Sequence, residues 1–120
     1  MSASSRAIEL TVKAARAAAA VKADDILAID VSRHLPFADV FLLASGTSER
    51  QVLAIAERIE EDLSRDGDRA LRKEGAKEGR WVLLDFNDVM VHVFHQEERA
   101  YYALERLWKD GPVVPLPADL

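Results

Sequence analysis

At 120 residues, about half of them hydrophobic and with only five glycines and four prolines, the chain is long enough for one core, too short for two, and too apolar to stay disordered. A formal net charge of -5 argues against non-specific attraction to nucleic acid, which rests on Lys and Arg displacing counterions from phosphate, and favours a basic partner. Without cysteine there is no disulfide framework or thiolate metal site, and no apolar run approaches the ~20 residues that span a bilayer.

The opening residues lack the basic stretch leading into an apolar one that marks a secretory signal, so the expected location is the cytoplasm. Residues 5–22 carry Ile8, Val12, Ala15 and Ala19 at helical spacing, with Glu9 four positions before Lys13, an orientation that adds ~0.2–0.5 kcal/mol. A first helix packed on one face of a sheet is expected, its alanine run adding propensity more than burial. Residues 26–31 form an apolar run broken only by Asp30. That carboxylate is read as a strand-end group reaching solvent, the alternative being a partly buried acid with a nearby partner, because an unpaired buried carboxylate is costly. Pro36 biases Leu35 toward extended backbone, and His34 reads as an exposed loop histidine.

A second strand over 39–44 must turn at Ser45-Gly46. Ser48 and Gln51 have the spacing of a capping box, and Val52, Ile55, Ala56, Ile59 and Leu63 then fall on one helical face, opposite Glu57, Arg58, Glu60, Glu61 and Asp62. Gly67 is the expected left-handed residue that closes this helix. Residues 70–73 suit a short edge strand whose charges discourage further pairing.

The strongest signal lies over 80–108. Two apolar runs, 81–86 and 89–94, joined by Asn87-Asp88, predict an antiparallel hairpin. Each run is apolar at nearly every position, so the hairpin should be central and covered on both faces. A helix follows, with Glu97 and Glu98 complementing its dipole and Gly111-Pro112 stopping it. Pro112, Pro115 and Pro117 predict an extended tail over 111–120, leaving 1–110 as the domain. His92 and His95, three apart on a strand, point to opposite faces and do not converge on one ion. His92 is read as a sheet histidine with a hydrogen-bond partner, and no metal or other cofactor is expected.

The words WVLLDFNDVMVHVFH and YYALERLW, preceded by ADVFLLASGTSERQVLAIAERIEEDL, resemble the matching blocks of the ribosomal silencing factors, the Iojap-related family, over roughly residues 24–108. The resemblance implies a single α/β domain, a mixed β-sheet flanked by helices, with nucleotidyltransferase-like topology. It implies a partner as well: the fourteenth protein of the large ribosomal subunit, on the face where the small subunit docks. Occupying that face would exclude the small subunit and repress translation under nutrient limitation or in stationary phase. A homodimer is expected when the protein is free, with neither direct nucleic-acid recognition nor a membrane partner. Gly46-Thr47-Ser48 resembles the small-residue turn of nucleotidyltransferases, but that chemistry also needs two close acids on a following strand, and here the chain continues as a helix. Gly46 is therefore read as a turn residue, Ser48 as a cap, and the protein as no enzyme. The alternatives are an enzyme of that fold and a generic interaction module for another basic protein.

The expected partner contacts are Trp81, Asp85, Asp88, Tyr102, Glu105 and Trp108. At ~100° per residue, Ala100, Tyr101, Ala103, Leu104, Leu107 and Trp108 share one apolar helix face, while Tyr102 falls among charges, as an anchor or as a ring lying over its neighbours. Trp81 and Trp108 suit the core or its edge. Asp85 and Asp88 bracket the hairpin tip, where turn chemistry and a compact acidic spot for Lys or Arg are compatible readings.

Overall fold

The computed structural model describes residues 2–102 and 112–120, with side chains for all of these except 100–102. Five strands make one mixed sheet in the order β1-β2-β5-β4-β3: β1 (Asp24–Asp30), β2 (Val40–Gly46), β3 (Arg72–Glu74), β4 (Trp81–Asp85) and β5 (Val89–His95). β2 and β5 run parallel and every other neighbouring pair is antiparallel. A parallel pair needs a long crossover, and here it passes through helix α2 (Glu49–Arg65) and the hairpin partner β4. Helix α1 (Ser5–Ala20) precedes the sheet and α3 (Gln96–Tyr102) follows β5. None of the described helices is long and apolar enough to cross a membrane.

The predicted hairpin forms, with Trp81 opposite Phe94 and Asp85 opposite Met90, and Asn87 takes a positive φ of 73° in the tight turn. β5 is buried along its whole length, as a central strand should be. β4 departs from the expected two-sided cover: Val82 and Leu84 are buried, whereas Trp81, Leu83 and Asp85 are only half-buried. The reason is topological. Both α1 and α2 lie over Val40, Leu42, Ala44, Val82, Leu84, Val91 and Val93, on one face of the sheet. A smaller apolar cluster of Ile29, Phe41, Leu43, Met90 and Phe94 occupies the other face, with Leu27, Trp81 and Leu83 at its rim.

α2 buries the five residues its spacing predicts. α1 follows its predicted stripe only at Ala15: it buries Ala7, Leu10, Thr11, Ala14, Ala15, Ala17 and Ala18, leaves Val12 and Ala19 partly exposed, and leaves Ile8 40% exposed. Small side chains let this helix approach both α2 and the sheet closely, so fit in a tight space outranks hydrophobicity. Thr11 is accommodated there by donating its hydroxyl to the Ala7 carbonyl at 2.7 Å. The edge strand forms about two residues later than its charges suggested, at Arg72–Glu74.

Asp30 is a correction of the solvent-reaching assignment, for it is buried. Its carboxylate accepts from the Ala3 and Ser32 N–H groups, each at 2.9 Å, and from the Ser32 hydroxyl at 2.6 Å. Burial pushes its pKa up, but these hydrogen bonds from Ser32 and Ala3 prevail and hold it below the ordinary aspartate value. Asp39 accepts from the Ser4 N–H at 2.9 Å, so two carboxylates fix the chain just before α1, whose N-cap is Ser4.

At the opposite end of the sheet Arg99, also buried, donates to Ser45 Oγ at 2.8 Å and to the Asp25 carbonyl. Arg80 pairs with Glu98 at 3.0 Å and with Glu49 and Glu97 at 3.6 Å, tying the start of β4 to the first turns of α2 and α3. Residues 112–114 run extended beside β1, where Asp30 N–H donates to the Pro112 carbonyl and Val114 N–H to Ala28. Val114 thereby enters the helix-side core.

Gly75 sits at φ +81°, and a Cβ there would collide with the carbonyl oxygen of Trp81. Gly67 has a similar φ of +89° but open space around it. Gly75→Ala should therefore lower unfolding free energy by about 2–4 kcal/mol, combining left-handed strain with backbone displacement, and Gly67→Ala by only about 1–2 kcal/mol. Urea titrations of the two variants side by side check this; equal losses would mean that the approach to Trp81 carries no strain.

Candidate protein-docking face

Alternation along β4 places Trp81, Leu83 and Asp85 in a row on the face away from α1 and α2. Register supplies the neighbours. Across β5 these three oppose Phe94, His92 and Met90, and across β3 Leu83 opposes Glu74 while Asp85 opposes Arg72. The result is a half-open strip, aromatic at one end and acidic at the other, supported from below by paired strands.

At the aromatic end the Trp81 ring lies 4.9 Å from Phe94 and 6.0 Å from His92, and His92 lies 4.8 Å from Phe41. Trp81 Nε1–H donates to His92 Nδ1 at 3.2 Å. An imidazole that accepts at Nδ1 carries its proton at Nε2, and that buried atom has no hydrogen-bond partner among the described residues. Burial lowers the His92 pKa from 6.5 to about 4, so the ring is neutral at ordinary pH. The expected hydrogen-bond partner of His92 is thus present on one nitrogen and, among the described residues, missing on the other. An orphaned buried donor of this kind costs about 1–3 kcal/mol.

At the acidic end Asp85 Oδ1 accepts from Asn87 N–H at 2.8 Å, and Oδ2 lies 3.8 Å from Arg72 Nη2. The Asp88 carbonyl accepts from the Asp39 and Val40 N–H groups at 2.8 and 3.1 Å, joining the hairpin tip to the start of β2. Turn chemistry is therefore at work here, and it leaves the half-buried carboxylates of Asp85 and Asp88 on a braced support.

Of the residues singled out from sequence, Trp81 and Asp85 lie in the strip and Asp88 at the turn beside it. Tyr102 is the last described residue of α3, but its side chain lies outside the described residues, as do Glu105 and Trp108 altogether. Sequence reasoning missed Leu83 and Arg72, and it read His92 as a sheet histidine with a hydrogen-bond partner without placing it at the site. Once the Asn87-Asp88 turn is placed, the hairpin register alone puts His92 opposite Leu83, so that signal was available. What was not available is which face of β4 the helices leave open.

The Gly46-Thr47-Ser48 turn is occupied by its own neighbours. Gln51 Oε1 accepts from Thr47 N–H at 2.7 Å and from the Thr47 hydroxyl at 3.0 Å, and Ser48 Oγ accepts from Gln51 N–H at 3.1 Å. The reciprocal half of the expected capping box thus goes to Thr47 rather than Ser48. A Cβ on Gly46 would press on Val52 at 3.1 Å, which explains the glycine by packing. Among the described residues no group of three His, Asp or Glu side chains converges as a metal site would require.

A family described as "Ribosomal silencing factor during starvation" matches residues 4–119, nearly the whole chain. The chain belongs to the ribosomal silencing factors. Over 95 residues it is 47% identical to the ribosomal silencing factor of Bacillus subtilis, a match covering 79% of this chain and 80% of that one. A crystal structure from Bacillus halodurans superposes with a TM-score of 0.80 at 42% identity, covering 90% of this chain and 98% of that one. A mouse protein named "Mitochondrial assembly of ribosomal large subunit protein 1" is 32% identical over 89 residues, which span 72% of this chain and 39% of the mouse protein. The matched region includes α1, the sheet and α2, so the half-open strip belongs to the silencing-factor domain itself.

Proposed function

We propose that this silencing factor binds the large ribosomal subunit through its fourteenth protein and, by occupying that surface, keeps the small subunit from joining. The action is steric and needs no bond to be made or broken, it takes place in the cytoplasm, and it represses translation when nutrients are short. The free protein is a homodimer. The observation that carries this reading is the half-open strip of Trp81, Leu83 and Asp85 on a protein of net charge -5. An aromatic anchor beside a braced acidic tip suits a flat basic protein surface, where a rigid apolar centre supplies affinity and the charges at its rim set orientation and encounter rate. The name of the mouse relative, which points to the large subunit, supports the choice of particle.

Sedimentation of purified subunits through sucrose tests it. The protein should travel with the large subunit, and joined particles should fall as it is added. Reversing both acids, Asp85→Lys with Asp88→Lys, should weaken capture by roughly 1–3 kcal/mol at moderate salt. Co-migration with the small subunit, or joined particles unchanged at saturating protein, would defeat the reading.

A further inference from the structure

His92 is a poor choice for the place it occupies if the fold alone is considered. It lies on the sheet face lined by Phe41, Leu43, Met90 and Phe94, and its Nε2 is buried without a partner among the described residues. A leucine there would remove the orphaned donor and suit the cluster. What only the histidine supplies is an acceptor, and that acceptor receives the indole N–H of Trp81.

Trp81 needs one. It is half-buried, one strand from the sheet edge, with its ring on Phe94. A buried indole N–H normally finds a partner, and a half-exposed one left without a protein acceptor can find it by swinging toward water. The bond to His92 removes that incentive and holds the ring against Phe94. A side chain already fixed in its bound orientation loses no rotamer freedom when a partner arrives.

We propose that His92 is a positioning residue, which by accepting the Trp81 indole N–H at Nδ1 holds that ring in the orientation that meets the partner. The inference rests on the docking role proposed for Trp81. The unpaired Nε2–H is the structural consequence of placing an imidazole acceptor within an apolar cluster.

A double-mutant cycle on the full chain tests it, with large-subunit affinity and urea unfolding measured for Trp81→Ala, His92→Leu, His92→Asn and the combination of Trp81→Ala with His92→Leu. His92→Leu should unfold at the same urea concentration or higher, yet bind roughly three- to tenfold more weakly. His92→Asn, whose Oδ1 stands near the place of Nδ1, should recover most of the affinity. In the Trp81→Ala background His92→Leu should change nothing further. The indole proton of Trp81, identified by its disappearance in Trp81→Ala, should exchange slowly in the native protein and quickly in His92→Leu. If His92→Leu fails to fold, His92→Gln, which lacks an acceptor at that place, takes its position against His92→Asn. Native affinity in His92→Leu alongside a loss in Trp81→Ala overturns the inference and leaves the docking reading standing. An equal loss from His92→Leu with or without Trp81 also overturns it, by showing that the histidine acts through the fold. No loss in Trp81→Ala removes the docking role of Trp81 itself.

Discussion

Trp81→Ala is expected to weaken binding to purified large subunits by about 2–4 kcal/mol, roughly thirty- to a thousandfold. Tryptophan is the side chain most often found at the energetic centre of an interface, because it removes a large rigid area from water while giving up few rotamers. This one is backed by the Phe94 ring at 4.9 Å and held by His92, so a partner would press on a supported surface. Arg72 and Glu74, exposed on the neighbouring edge strand, should by contrast change affinity by less than about 1 kcal/mol when truncated, since rim groups remain hydrated in a complex. The measurement must be paired with urea unfolding of the same variant. A half-buried indole also contributes to stability, and if affinity falls only as far as the folded fraction does, Trp81 is a structural residue and the strip is not the anchor.

The reach of the sequence follows the range of the interactions involved. α2 was readable to the residue, because its buried face, its Ser48 cap and its Gly67 terminus are all set within a few positions of chain. The hairpin was readable for the same reason, its short polar link fixing the register that places Trp81 on Phe94. α1 was not. Its buried face is chosen by how closely the helix must approach α2 and the sheet, and a hydrophobicity pattern that ranks Ile8 above Ala7 and Ala18 picks the wrong side. Asp30 failed on a similar ground: its burial depends on N–H groups from Ala3, 27 positions away, and from Ser32. The openness of β4 has the longest range of all, for it follows from both helices lying on one side of a sheet whose order no single segment encodes. The candidate site inherits this division. Its aromatic and acidic ends were visible as residue types, whereas Leu83 between them and His92 behind them became evident only when the face was known.

Phe94→Ala should be the most damaging single substitution outside the helix-side core, lowering unfolding free energy by about 3–5 kcal/mol. Phe94 is fully buried in the central strand, paired with Ser45 on one side and Trp81 on the other, and its ring lies 6.0 Å from His92. Truncation would open a cavity beneath both, and strands locked by hydrogen bonds on each side leave little room to collapse into it. Against a total stability of about 5–15 kcal/mol for a domain of this kind, such a loss is a large fraction. Phe94→Leu, which fills most of the space, should lose only about 1–1.5 kcal/mol. The pair of values decides what the second face of the sheet is. A loss near that of a core phenylalanine makes it a true second core that supports Trp81 firmly, and the surviving folded molecules of Phe94→Ala should then bind the large subunit poorly because the indole has lost its floor. A loss below about 1.5 kcal/mol would mean that the face is loosely packed in the free protein, and the rigidity on which the docking argument depends would be gone.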